Sequence, residues 1–166
     1  MKLKTVAVGF CLLLLACAAQ AQTKASGVIK CTKPDQSHKI DVGPNHAFMI
    51  DQSKRLADKA KPFTIAGAAS TTGVSTNVTE VNGNQSKFHG YYTDTMDNGD
   101  KAEYSFQGSA AMKDGVMQSA TDNWMLVRGT GKLKGAKGKG TCKGSSGADG
   151  AITWDCEGEY TMAATK

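Results

Sequence analysis

Beyond residue 21, no stretch of this chain keeps apolar residues at helical spacing for more than about two turns, which excludes a helical bundle. A second long apolar run is also missing, so nothing after the first segment approaches the roughly 20 residues of a membrane-spanning helix. The spacings HxH, HExxH and CxxC are absent, and with them the expectation of a dedicated metal site. No G-x-S-x-G appears, so the sequence offers no nucleophile elbow. No cofactor is expected. Strong charge of one sign is lacking too. Lys2 and Lys4 fall in the N-terminal segment read below as a signal peptide, so the 20 basic residues become 18 against 15 acidic ones. That balance is too mild for a nucleic-acid partner.

What the N-terminus does have is the pattern of an export signal. Two lysines lie within Met1 to Thr5, an apolar run dense in leucine extends from Val6 to Ala19, and Ala19-Gln20-Ala21 gives a small-x-small cleavage site. The sequence therefore predicts a signal peptide over 1–21, one domain over 22–166 and a periplasmic or secreted protein. Leu14-Leu15-Ala16-Cys17 resembles a lipobox and leaves a lipoprotein anchored through Cys17 as the alternative. Cys31, Cys142 and Cys156 remain to meet an oxidising compartment, enough for one disulfide and a leftover thiol.

Glycines, threonines and period-two alternation recur through the remaining chain, so it reads as all-β. Candidate strands are 27–32, 46–51, 74–81, 86–96, 100–111, 116–128, 136–144 and 151–162. About eight short antiparallel strands predict a closed barrel or a sandwich. Residues 51–61, rich in Lys, Ala and Asp and followed by Pro62, are expected to form a short helix or a loop.

Two hairpins set registers. Asn98-Gly99 predicts a two-residue turn with Asp97 opposite Asp100, which places Tyr91 across from Phe106 and Thr93 across from Tyr104 on the inward face. Asp94, Lys101 and Glu103 then face outward. In the second hairpin Lys137, Lys139, Thr141 and Lys143 alternate with Gly138, Gly140, Cys142 and Gly144. Its return strand alternates Thr153, Asp155, Glu157 and Glu159 with Ile152, Trp154, Cys156, Gly158 and Tyr160. Setting Cys142 opposite Cys156 also sets Lys143 against Asp155 and Lys139 against Glu159, so thiol and charge pairing favour one alignment. A Cys142–Cys156 disulfide is expected, with Cys31–Cys156 as its rival.

The inward set comprises Tyr91, Tyr104, Phe106, Trp124, Leu126, Trp154 and Tyr160 beside Gly138, Gly140 and Gly158. These rings either fill the interior or, with the glycines opening space, line a pocket for an apolar ligand. Tyr91, Tyr104, Phe106, Trp124, Trp154 and Tyr160 are therefore the candidate ligand-binding residues. His46, His89 and Glu80 are polar groups that alternation could turn inward, where a shifted pKa would suit acid–base work, or that could reach water at the rim. Glu80, Tyr91 and Tyr104 are the catalytic candidates. The lysines at 132, 134, 137, 139 and 143 read as a solvated outer face opposite Asp155, Glu157 and Glu159. The sequons at Asn77 and Asn84 read as chance matches.

The stretch Gly129-Thr130-Gly131-Lys132-Leu133-Lys134-Gly135-Ala136-Lys137-Gly138-Lys139-Gly140-Thr141 resembles the G-G-T-G-K-F-x-G-A-x-G segment of dirigent and allene oxide cyclase barrels. Arg128 stands where dirigent proteins often have the first glycine, and Leu133 where they often have an aromatic. With Asp97-Asn98-Gly99-Asp100-Lys101 and Glu157-Gly158-Glu159-Tyr160, the resemblance covers 86–162 and is closest to bacterial exported proteins of this type. It implies a single closed eight-stranded antiparallel barrel that holds a hydrophobic small molecule without a cofactor. No catalytic residue is carried over, because the half of the chain where several should lie is unmatched. The sequence thus points to a non-catalytic binder of an apolar small molecule in the envelope. The alternatives are a cofactor-independent cyclase or isomerase, and a packed-barrel scaffold for protein interaction.

Overall fold

The computed structural model describes residues 22–163, so the expected signal peptide and Cys17 lie outside the described residues. In chain order the strands are β1 (Thr23–Cys31), β2 (Gln36–Gly43), β3 (His46–Ala57), β4 (Thr64–Ile65), β5 (Ala68–Asn82), β6 (Gln85–Met96), β7 (Lys101–Lys113), β8 (Val116–Gly129), β9 (Lys137–Ser146) and β10 (Ile152–Thr161). Among the described residues the one helical element is a 3-10 turn, Gly131–Leu133. No helix there is long and apolar enough to cross a membrane.

From β10 the antiparallel pairings run through β9, β8, β7, β6 and β5 to β3, from β3 to β1, and from β1 back to β10. The sheet is all-antiparallel and its ends meet, which leaves few unpaired edges. β4 bridges β1 and β5, and β2 extends the wall beside β3.

The last hairpin has the register that charge and cysteine pairing favour: Cys142 faces Cys156, Lys143 faces Asp155 and Lys139 faces Glu159. The cysteines form a disulfide. Across β1–β10, Cys31 faces Ile152 while Gly27 faces Cys156, which removes the Cys31–Cys156 alternative and leaves Cys31 a buried free thiol. Outside, Lys139 reaches Glu159 at 3.6 Å, but Asp155 binds Lys61 at 3.0 Å.

Three sequence expectations are corrected. Residues 51–57 continue β3, with Asp51, Ser53 and Arg55 buried and Gln52, Lys54 and Leu56 turned outward. The alternation is there, but its inward members are polar, so hydrophobicity does not reveal it. β2, exposed along its whole length, carries no burial pattern to read. In the β6–β7 turn, Gly99 alone takes positive φ, at 83°, and its N–H donates to the Met96 carbonyl while the Met96 N–H donates to that of Asp100. The loop thus has three residues instead of two. One extra loop residue slips the register by one and exchanges the faces of a strand. Tyr92 instead of Thr93 faces Tyr104, Gly90 instead of Tyr91 faces Phe106, and Asp94 faces Ala102.

The interior is filled unevenly. At one end Phe63, Ile65, Met96 and Leu133 are buried together, and Trp124 packs edge-on against Phe63 at 5.6 Å and Tyr104 at 5.7 Å. A Cβ placed on Gly140 would collide with the Glu157 carbonyl oxygen and come within 2.6 Å of the Trp124 ring, so glycine admits both the neighbouring strand and the indole here.

Candidate functional site

The other end of the interior is open. A cavity of about 210 Å³ lies between β3, β5, β6, β7, β8 and β10, with Cys31 contributing from the end of β1 and Thr32 and Pro34 from the β1–β2 connection. Its apolar wall is Phe88, Phe106, Trp154, Met49, Met112 and Met117. Phe88 sits 6.2 Å from Phe106 and 6.0 Å from Trp154, so the three rings form one continuous surface. Period-two alternation builds this wall: Phe88 and Tyr92 share the inward face of β6, as Tyr104 and Phe106 share that of β7.

A polar cluster borders the cavity. Arg55 donates through Nε to Asp94 Oδ1 at 2.8 Å and through Nη2 to Oδ2 at 3.4 Å. Its guanidinium lies 3.6 Å above the Tyr92 ring, a cation–π contact. Tyr92 in turn stacks on Tyr104 at 4.6 Å. Burial works against the charge on Arg55, but the Asp94 carboxylate, through its charge and hydrogen bond, together with Cys31 and Tyr92 outweighs it and raises the pKa, so the guanidinium stays charged. Burial likewise pushes the Cys31 thiol and the Tyr92 and Tyr104 phenols upward.

Asp122 differs from these groups. It projects from β8 opposite Cys142, is 7% exposed and lines the cavity. Its Oδ1 has no hydrogen-bond partner among the described residues. Burial pushes its pKa up to about 7, while Arg55 and the Cys142 N–H pull the other way. A carboxyl in this range can exchange a proton or serve as an anionic anchor near neutral pH.

The candidate residues read from the sequence are divided by this geometry. Phe106 and Trp154 line the cavity. Tyr104 and Trp124 are buried beyond it, and their Tyr104 hydroxyl and Trp124 Nε1 have no partner among the described residues. Tyr160 is buried but does not line it. Tyr91, expected inward, is 58% exposed as a result of the one-residue slip. Glu80 does not line the cavity either; it accepts from His46 Nε2 at 2.9 Å, and His89 is exposed. Arg55, Asp94 and Asp122 were missed. Asp122 shares strand parity with Trp124 and Leu126, a signal that would have found it; Arg55 lay in the segment taken for helix or loop. Among the described residues, no group of three or more His, Cys, Asp or Glu is placed to hold a metal ion.

No protein-family model matches this chain, and no curated protein matches it. Among solved structures, it is similar to the pterocarpan synthase dirigent protein PsPTS1, with 11% identity over 88% of this chain and 98% of that one, at a TM-score of 0.50. The pterocarpan synthase dirigent protein GePTS1 gives 11% identity over 96% and 100%, at a TM-score of 0.48. The likeness to PsPTS1 establishes a dirigent-like fold.

Proposed function

We propose that this protein is a non-catalytic binder of an apolar small molecule, exported to the periplasm or beyond, with its closed strand circuit acting as a barrel of the dirigent and allene oxide cyclase type. The observation that carries the reading is the contrast between the two ends of the interior. One is filled around Trp124, while the other keeps about 210 Å³ open beneath Phe88, Phe106 and Trp154. Cavities of about 150 Å³ accept benzene, so this one is sized for a single substituted ring. Export is supported by the N-terminal signal pattern and by the disulfide, which suits an oxidising compartment.

Asp122 favours a second reading, a cofactor-free cyclase or isomerase, because a buried carboxyl near neutrality touches the cavity. In that reading Asp122 replaces Glu80 as the acid–base group. Native mass spectrometry of protein purified from its own envelope tests the binding reading. One retained small molecule per chain is expected, and an empty chain that also fails to bind single-ring probes overturns it.

A further inference from the structure

The groups lining the cavity do not balance in charge. Among the described residues Arg55 is the one cation that lines the cavity, and its guanidinium is engaged by Asp94. Two more carboxylates face the same space, Asp51 from β3 and Asp122 from β8, and both are buried. Asp51 accepts from the Ser37 hydroxyl, a neutral partner that leaves its charge uncompensated. Asp122 has a buried oxygen with no partner among the described residues. Lys39, opposite Met49 at the cavity's flank, is held by Asp41 at 2.8 Å. A buried anion without a partner costs free energy, which a charged donor entering the cavity would recover. The faces of Phe88, Phe106 and Trp154 bound the same space, and aromatic faces attract cations.

We propose that the cavity's ligand is an amine bound in its ammonium form on an apolar, single-ring body, with Asp122 as its principal counter-ion. This rests on the binding reading above and names its ligand class. The rings enclose the body and the carboxylates select the charge. An anionic ligand would meet Asp51 and Asp122 with no free cation among the described lining residues to offset them.

The groups facing Asp122 are Arg55 from β3, Cys31 from β1 and Tyr92 from β6; the neighbouring Cys142–Cys156 disulfide does not titrate. Arg55, Cys31 and Tyr92 are all pushed upward, away from neutrality, and Asp94 is ion-paired. Asp122 is therefore the group whose charge grows as pH rises through about 7.

Calorimetric titration of the mature protein with phenethylamine, 2-phenylethanol and phenylacetate tests this. Near pH 8 the amine should bind at least about tenfold more tightly than the alcohol, and phenylacetate should not bind. The amine's advantage should shrink below about pH 6 while the alcohol's affinity stays level. Asp122→Asn should abolish the amine's preference and leave the alcohol within about twofold of the parent. Should that variant not fold, the parent's pH profile decides. If the alcohol or the acid binds as tightly as the amine, the charge selection is wrong while the binding reading stands. If none of the three binds, both fall.

Discussion

Arg55 and Asp94 meet at 2.8 Å inside the strand circuit although 39 residues separate them in the chain. The pair joins β3 to β6 and lies at the boundary between the packed end and the cavity. Both partners are buried, so removing one leaves an uncompensated interior charge, which typically costs about 3–5 kcal/mol. Asp94→Ala should therefore lower the urea midpoint sharply at an unchanged slope. Replacing both residues with leucine should cost less than Asp94→Ala alone. Equal or greater loss in the double variant would contradict this account of the pair.

Asp122 makes stability depend on pH in a direction opposite to that of a salt-bridged carboxylate. Its pKa rises from 3.8 to about 7 on folding, so the folded state holds this proton more tightly than the unfolded chain. Its contribution is complete below pH 3.8, is lost as pH rises toward 7, and stays lost above that. At about 1.36 kcal/mol per unit, the loss has an upper limit of roughly 4 kcal/mol. Asp122→Asn should remove this dependence and stabilise the protein near pH 8. Urea midpoints at about pH 4.5 and 8 for parent and variant check it.

The two ends of the interior should answer substitution in opposite ways. Gly140→Ala places a carbon against the Glu157 carbonyl oxygen and, at 2.6 Å, the Trp124 ring, and overpacking of this kind costs about 1–3 kcal/mol. Ala110, which lines the cavity, has space before it. Ala110→Leu should change stability by less than about 1 kcal/mol while abolishing ligand binding. Urea melts beside ligand titrations separate the two. A destabilising Ala110→Leu or a neutral Gly140→Ala would place the open space wrongly.

Cys31 is buried with its thiol pKa raised, so it should resist labelling in native protein and react on unfolding. Non-reducing peptide mapping should recover Cys142 joined to Cys156. Cys142→Ser with Cys156→Ser should cost up to about 3 kcal/mol, less if the hairpin persists in the unfolded chain.

The all-β class was legible from period-two alternation, and the last hairpin and its disulfide because charge pairing and cysteine pairing agree on one register there. The β6–β7 register was not. Asn98-Gly99 suits a two-residue turn, yet only Gly99 adopts positive φ, and the extra loop residue exchanged Tyr91 for Tyr92. The aromatic half of the cavity was partly legible through Phe106 and Trp154. Asp122 was legible through its parity with Trp124 and Leu126, but Asp51, Arg55 and Asp94 are charged residues at inward positions, where hydrophobic alternation gives the wrong side. Their burial depends on long-range pairing, which no local pattern encodes.

Methionine methyl groups report on both ends of the molecule, so NMR of ¹³C-methyl-methionine protein titrated with phenethylamine and with 2-phenylethanol tests the central claim most directly. Met49, Met112 and Met117 line the cavity, Met96 is packed at the filled end, and Met125 is exposed on the outer surface. The account predicts saturable shifts at Met49, Met112 and Met117 with at least one of these ligands, and none at Met96 or Met125. Still cavity methyls with both ligands, or shifts confined to Met125, would contradict it.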